Sequence, residues 1–325
     1  MAYRSLALAI ALLAVAPCAV GQSGEAPFIY TSGSFSHFYF PGTGTLTTPT
    51  GINESGQIVG YYRAAQGQPS QGFFYSDGAF STINYPGAMW TVARGISNNG
   101  NIVGYDGSHA GFFYAAGNFT MIMGYAYGVN DAGEVVGATF DRTNGLPQGY
   151  LYTSGVYTSI GYPGATYTEP FDINDRGQIT GRYGNCVNGL CDVHGFLYSA
   201  GVYISIDYPG ALLTASFGVN DGGQLAGYYL TGQAGAWQYL GFTYLDGAFT
   251  MISDPTSTST VNTENGNWKP GPPYSTFVYG INDIGQLVGG YEGQEPAQAA
   301  EPSYIALLVP SLAAWIAAKR KHKSN

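Results

Sequence analysis

Acidic side chains recur at one point of a repeated pattern. Asp131, Asp175, Asp221 and Asp283 each follow an asparagine, and regularly spaced carboxylates are a possible source of calcium ligands. Calcium takes about six to eight oxygen ligands, several of them from carboxylates close in sequence, whereas each copy here offers one or two acids. We therefore interpret these aspartates as turn residues and expect no metal ion and no cofactor.

Two histidines also occupy matching places in the pattern. His109 and His194 each precede a Gly-Phe or Ala-Gly-Phe sequence, and Gln71 and Gln148 stand in the same place in other copies. Because glutamine replaces histidine so readily there, the position favours a structural hydrogen bond over a metal ligand.

Paired carboxylates for glycoside hydrolysis are a spatial feature and can come from distant segments. Glu169 and Asp172 are the least implausible such pair in this chain. The sequence has no Gly-x-Ser-x-Gly elbow, no His-Glu-x-x-His and no glycine-rich phosphate loop between a strand and a helix. We assign no catalytic residue and keep a hydrolase as the alternative.

Cys186 and Cys191 flank a short Asn-Gly-containing segment. Asn-Gly allows the chain to turn back on itself, and an exported chain permits oxidation. A local disulfide is the leading interpretation. Two free thiols and a metal pair are the alternatives, although no third or fourth ligand is evident.

The composition indicates which elements position these residues. Of 325 residues, 49 are Gly, 28 are Tyr and 17 are Phe, and only 10% are charged. So many aromatic residues exclude a disordered chain, and so much glycine opposes long helices. An all-β protein with many turns is predicted.

The body of the chain consists of internal repeats. A turn-centred segment typified by Gly-Ile-Asn-Asp-x-Gly-Gln-Ile-Val-Gly occurs six times, at 51–60, 95–104, 128–137, 172–181, 218–227 and 280–289. A second, aromatic segment also occurs six times, starting at Phe28, Gly72, Gly111, Gly149, Gly195 and Gly241. Tyr-Pro-Gly-Ala follows three of these aromatic segments, at Tyr85, Tyr162 and Tyr208.

Each segment is typical of a hairpin, because a polar, glycine-containing turn lies between apolar strands. Two hairpins give four strands in about 45 residues, which is the size of a propeller blade. The chain starts with the aromatic hairpin and ends with the turn-centred one, so the two terminal halves can complete one blade. We predict a six-bladed β-propeller over 28–291, closed by pairing of the N-terminal and C-terminal half-blades. A β-solenoid and an outer-membrane barrel are the less favoured alternatives.

These segments resemble the extracellular HAF repeat, which is named for a His-Ala-Phe-like start of the aromatic hairpin. The matching pieces are His109-Ala110-Gly111-Phe112 and His194-Gly195-Phe196, and the resemblance covers about 28–291. It implies an exported repeat protein and carries no catalytic residue to transfer.

Both ends are typical of processing signals. Arg4, an apolar run at 6–15, and small residues at Ala19 and Gly21 predict a signal peptide at 1–21, removed by signal peptidase. After a linker at 292–300, residues 301–325 contain Glu301-Pro302-Ser303, an apolar stretch at 304–318 that predicts a short transmembrane helix, and a basic tail.

The C-terminal arrangement resembles the PEP-CTERM sorting signal of Gram-negative bacteria. The resemblance implies cleavage by an exosortase-like enzyme and delivery to the cell surface or extracellular matrix. The departure is Ala300, which stands where the motif has its first proline. A permanent C-terminal membrane anchor is the alternative.

Without those two ends, 6 of the 11 Lys and Arg residues and 19 of the 20 Asp and Glu residues remain. Such an acidic body is not expected to bind nucleic acid. The inserts of unequal length lie between hairpins, on one face of the predicted propeller, where specificity commonly resides. Trp237, Trp268 and Tyr274 lie in two of them and are candidate ligand contacts. The expected function is non-catalytic binding or scaffolding with a polysaccharide or surface-protein partner.

Overall fold

The computed structural model describes residues 25–42, 46–65, 67–108, 110–187, 190–233, 236–254, 258–262, 268–273 and 275–292. The predicted signal peptide, the sorting signal and all of the predicted linker except Glu292 lie outside these residues. All regular elements within them are β-strands. No helix in this part of the chain has the length and apolar character needed to cross a membrane.

Twenty-eight strands follow one another within the described residues. The first fourteen are β1 (Glu25–Thr31), β2 (Ser34–His37), β3 (Leu46–Ile52), β4 (Ile58–Arg63), β5 (Gln71–Ser76), β6 (Ala79–Ile83), β7 (Thr91–Ile96), β8 (Ile102–Asp106), β9 (Gly111–Ala115), β10 (Asn118–Ile122), β11 (Tyr125–Val129), β12 (Val135–Phe140), β13 (Pro147–Thr153) and β14 (Val156–Ile160). The others are β15 (Tyr167–Ile173), β16 (Ile179–Gly184), β17 (Cys186–Val187), β18 (Leu190–Cys191), β19 (His194–Ser199), β20 (Val202–Ile206), β21 (Leu213–Val219), β22 (Leu225–Gln233), β23 (Ala236–Leu245), β24 (Ala248–Ile252), β25 (Thr258–Asn262), β26 (Trp268–Pro273), β27 (Thr276–Ile281) and β28 (Leu287–Glu292).

The strands form a β-propeller arrangement of antiparallel sheets. Four sheets are separate and four-stranded, with the orders β2-β1-β28-β27, β3-β4-β5-β6, β10-β9-β8-β7 and β21-β22-β23-β24. A further eight-stranded sheet runs from β11 to β20 and contains two four-stranded sets. The prediction of an all-β propeller is therefore confirmed. Six separate blades were predicted, whereas four separate four-stranded sheets are present.

The eight-stranded sheet arises from one contact between its two halves. β13 pairs in parallel with β15 through Gln148 and Thr168, and every other pairing within this sheet is antiparallel. A single bridge of this kind joins two otherwise ordinary four-stranded sets, at the third strand of one and the edge strand of the other.

One sheet is built from both ends of the body. β1 pairs antiparallel with β28 from Glu25↔Glu292 to Tyr30↔Leu287, while β2 and β27 form its two edges. The hydrogen bonds that hold the chain's first hairpin to its last hairpin close the ring of sheets. This arrangement removes two strand edges that would otherwise be exposed.

The aromatic hairpins turn through two residues that both have positive φ. Asp77 and Gly78 have φ values of 52° and 80°, which is the geometry of a type I′ turn. The same pair of positive values recurs in all six aromatic hairpins. This turn matches the right-handed twist of the flanking strands, so it explains the recurring Asp-Gly, Ser-Gly and Ala-Gly pairs.

The blades pack through phenylalanine side chains on their third strands. Phe73 is fully buried, and a Cβ added to Gly60 on the neighbouring strand would lie 2.7 Å from its ring. Gly104 with Phe112 and Gly289 with Phe28 repeat this contact at the same distance. The last glycine of these three turn-centred segments therefore makes room for a large core ring.

Candidate functional site at the channel mouth

Asparagine forms the turn of each turn-centred hairpin that carries it. The Oδ1 atom of Asn53 accepts hydrogen bonds from the backbone N–H groups of Ser55 and Gln57, at 3.1 and 3.0 Å. Gly56 completes the turn with a φ of 71°. These local bonds hold the asparagine side chain at the axis of the ring, where its amide reaches the neighbouring blade.

A ring of asparagine side chains links the blades. Each Nδ2 atom donates to the backbone carbonyl oxygen of the corresponding residue in the next blade, at distances from 2.8 to 3.2 Å. The members are Asn53, Asn130, Asn174, Asn220 and Asn282; Ser97 occupies the sixth position. Asn282 donates to the carbonyl of Asn53, so the ring also spans the joint between the last and the first turn-centred hairpin.

A second ring of hydrogen bonds lies outside the first. The backbone N–H of Asp131 donates to the Oδ1 atom of Asp175 at 2.7 Å, and the same contact joins Asp175 to Asp221 and Asp221 to Asp283. Asp283 donates to Glu54, Glu54 to Asn98, and Asn99 to Asp131. The interpretation of the aspartates as turn residues needs refinement, because their carboxylates bridge blades.

Five carboxylates consequently surround one end of the channel, from Glu54, Asp131, Asp175, Asp221 and Asp283. Burial raises the pKa of Glu54; the N–H of Asp283 lowers it, and repulsion by Asp283, Asp221 and Asp175 raises it. Burial and neighbouring carboxylates likewise raise the pKa of Asp175, against the lowering effect of the Asp131 N–H. The ionised carboxylates of this rim therefore repel one another.

The rim opens into a small polar cavity of about 70 Å³, which has room for a few water molecules or one small polar group. Its walls include the two rings, Arg94 and Asp172. The turns of the turn-centred hairpins form its mouth, so the cavity lies on the tight-turn face. The sequence had favoured the opposite face, which carries the inserts.

Asp172 departs from the repeat at the narrowest part of the ring. The equivalent residues are Gly51, Gly95, Gly128, Gly218 and Gly280, and a Cβ added to Gly128 would lie 2.6 Å from the Asp172 Cα. The Oδ2 atom of Asp172 accepts a hydrogen bond from the backbone N–H of Val219, at 3.0 Å. Burial raises its pKa to about 7, although two backbone N–H groups and Arg94 act in the opposite direction.

The residues one position earlier line the channel below the mouth. Thr50, Arg94, Tyr127, Phe171, Phe217 and Tyr279 occupy this level. The rings of Phe171 and Phe217 stack with centroids 4.5 Å apart. The guanidinium carbon of Arg94 lies 5.5 Å from the centre of the Tyr127 ring, a distance suited to a cation–π contact.

Glu169 lies deeper and is held by buried partners. Its Oε2 atom lies 2.7 Å from Nη2 of Arg182, and its Oε1 atom accepts a hydrogen bond from the hydroxyl of Tyr127 at 2.9 Å. Both charged side chains are almost completely buried. Burial and the nearby Glu169 charge raise the pKa of Tyr127 well above its ordinary range. Glu169 and Asp172 therefore differ in surroundings, and only Asp172 lines the cavity.

The opposite face carries the inserts in which the candidate aromatic residues lie. β22 and β23 extend beyond their neighbours and pair as far as Gln233↔Ala236, which places Trp237 opposite Gly232. The Trp237 residue is 37% exposed. Trp268 lies on β26, whose side chains are outside the described part, and Tyr274 lies outside the described residues.

The remaining predicted residues have defined surroundings. Cys186 and Cys191 are joined by a disulfide that links β17 to β18. His194 lies 2.7 Å from Asp207 through Nδ1 and 3.8 Å from Asp192 through Nε2, and His109 is outside the described residues. Within the described ranges, no group of three or more His, Cys, Asp or Glu residues is arranged to hold a metal ion.

No family model matches this chain, and no curated protein matches it either. Among solved structures, it is similar to the β-propeller domain of the Trilobed protease from Pyrococcus furiosus, described as having an open velcro topology. The identity is 11% and the TM-score 0.45, over 83% of this chain and 85% of that one. An identity of this size carries no information about activity.

Proposed function

We propose that this protein is an exported, six-bladed β-propeller of the cell surface or extracellular matrix that acts as a non-catalytic binding or scaffold module. The six-blade count treats the eight-stranded sheet as two blades. The ligand is a glycan or a surface protein, bound on the face that carries the inserts. Neither a cofactor nor nucleic acid takes part.

The observation that carries this proposal is the uneven elaboration of that face. The disulfide-linked β17–β18 hairpin and the extended β22–β23 hairpin belong to consecutive repeats, and the β25–β26 hairpin follows them. Apart from these hairpins, the links between consecutive strands contain at most eight residues. Loops of unequal length on a rigid scaffold are where binding specificity commonly resides, and a partly exposed tryptophan such as Trp237 suits contact with a sugar ring or a protein.

The state of the acidic residues also favours binding over catalysis. Glycoside hydrolysis uses two carboxylates that flank the scissile bond. The rim carboxylates accept backbone hydrogen bonds that hold the blades together, and Glu169 is committed to Arg182 and Tyr127.

A propeller-type hydrolase acting on extracellular polysaccharide is the second candidate, and Asp172 is the observation that favours it. A half-buried carboxyl group whose pKa is about 7 lines a cavity, and perturbed acids of this kind are common at catalytic sites.

The purified body, residues 22–292, should be applied to a glycan array and incubated with the same polysaccharides in a reducing-end assay. We expect binding without release of sugar, and weaker binding by Trp237→Ala. Ile284→Ala is the matched control, because Ile284 is exposed on the turn face. Polysaccharide cleavage that Asp172→Asn abolishes would establish the hydrolase instead.

The export part of the proposal rests on the sequence of the two ends. Mass spectrometry of protein recovered from the producing cells should find an N-terminus at Gln22 and a C-terminus near Glu301 to Ser303. The double variant Glu301→Ala/Pro302→Ala should keep the basic tail and stay in the membrane fraction. An intact C-terminus in the wild-type protein would favour the permanent anchor.

A further inference from the structure

The tight-turn face carries a feature that the repeat does not explain. Five of the six equivalent residues at this level of the ring are glycines, and their added Cβ atoms would come within 2.6 to 3.3 Å of the neighbouring blade. Asp172 alone bears a side chain there. Five blades close without such a carboxyl group, so ring closure does not require it.

The carboxyl group is unfavourable for folding where it lies. Its raised pKa shows that the ionised form is disfavoured in this environment, despite the hydrogen bond from Val219. Residues that lower the stability of a fold without improving its packing are found most often at functional sites.

Arg94 is a second departure and lines the same cavity. Thr50 and four aromatic residues occupy its place in the other blades. Among the described residues that line the cavity, Arg94 is the one basic residue. Arg94 and Asp172 line the same cavity, and the Arg94 charge lowers the pKa of Asp172, so the two departures belong to one site.

The chemistry of the cavity indicates what it binds. A carboxyl group that accepts hydrogen bonds and a guanidinium group that donates them together suit the hydroxyl groups of a sugar residue. The five rim carboxylates disfavour an anionic ligand. The volume of about 70 Å³ admits the hydroxyl groups of one sugar residue and excludes a folded polysaccharide chain.

We propose that Asp172 and Arg94 form a second ligand site, at the turn-face mouth of the channel, which binds the hydroxyl groups of a neutral sugar residue. This inference rests on the proposed glycan-binding function and adds a site separate from the insert-bearing face. Asp172 accepts from two neighbouring hydroxyl groups, and Arg94 donates to one of them.

The test is saturation-transfer NMR and calorimetry on the body, residues 22–292, with D-glucose, D-galactose, D-mannose, D-xylose and N-acetyl-D-glucosamine as probes. At least one sugar should bind, and Asp172→Gly, which restores the residue of the other five blades, should weaken it about tenfold or more. Arg94→Thr, which copies Thr50, should have a similar effect. An unfolding temperature of the Asp172→Gly variant that is no lower than that of the wild type would separate lost contacts from lost folding.

The two sites fail in distinguishable ways. Sugar binding that Trp237→Ala removes and Asp172→Gly leaves intact would overturn the channel site while supporting the proposed function. The reverse result would support the channel site. Absence of binding by every sugar probe would overturn the inference.

Discussion

Replacing Asp172 by Asn should make the protein more stable at neutral pH and remove part of its pH dependence. Asparagine keeps the size of the side chain and an oxygen that accepts from the N–H of Val219. It removes the charge whose burial raises the pKa of Asp172 from 3.8 to about 7. The variant therefore separates the ionisation from the hydrogen bond.

The direction of the pH dependence follows from whether the folded or the unfolded protein holds the Asp172 proton. Below pH 4 the carboxyl group is protonated in the folded and unfolded protein alike, so it does not affect the balance. Between pH 4 and 7 the unfolded chain loses this proton while the folded protein keeps it, so stability falls as the pH rises. Above pH 7 both states are ionised and the loss stays constant.

The magnitude follows from the shift of about three units, at about 1.4 kcal/mol for each unit. The full loss is on the order of 4 kcal/mol, of which about 3 kcal/mol develops between pH 5 and pH 8. Asp172→Asn should therefore gain about 3 kcal/mol over the wild type when the pH is raised from 5 to 8. Glu54 and Asp175 titrate in both proteins, so the difference between the two isolates Asp172.

Urea unfolding of both proteins at pH 5, 6, 7 and 8, followed by tyrosine fluorescence and circular dichroism, measures this difference. A gap between the two free energies of unfolding that is the same at every pH would refute the reasoning. So would a variant that loses stability relative to the wild type as the pH rises.

Three further predictions concern the asparagine ring, the buried ion pair and the disulfide. Asn282→Ala should lower the free energy of unfolding in urea by about 2 to 4 kcal/mol, because it removes donors to Asn53 and Gln286 and a buried acceptor. Asn130→Ala, which removes the equivalent bonds inside the chain, is the control. A loss below about 1 kcal/mol for both variants would contradict the ring's role. Arg182→Met should cost about 3 to 5 kcal/mol by leaving Glu169 charged, buried and unpaired, and the double variant with Glu169→Gln should recover most of that loss; equal instability of the single and double variants would exclude this explanation. The double variant Cys186→Ser/Cys191→Ser should lose at most about 2 kcal/mol, since the disulfide closes a very short loop, and a larger loss in calorimetry would mean that the insert supports the neighbouring blades.

The repeat allowed the fold to be predicted because its turns are specified locally. The Oδ1 atom of Asn53 accepts hydrogen bonds from two residues of its own turn, so the hairpin can be inferred from a ten-residue pattern. The order of the half-blades along the chain likewise indicated the pairing of β1 with β28. The bridge between Gln148 and Thr168 involves two ordinary strand residues and has no signal in the sequence.

The candidate site was harder to predict because it depends on residues from all the blades. In the sequence, the aspartate after each asparagine is explained by its own turn. Nothing local shows that its carboxylate reaches the next blade. One signal was available: the fourth copy of the segment starts with Asp172 where the other five start with Gly. Alignment of the copies by position, and attention to the exception, would have identified this residue without a structure.

The pairing of Glu25 with Glu292 means that the ring has no fixed starting point. Because these residues are opposite each other on antiparallel strands, a turn of about two to four residues could join them directly. New termini could then be opened at the exposed turn of Pro86 and Gly87, in the link between β6 and β7. A circularly permuted body of this kind would have four consecutive strands in every sheet, and its last sheet could form without waiting for the first hairpin of the chain.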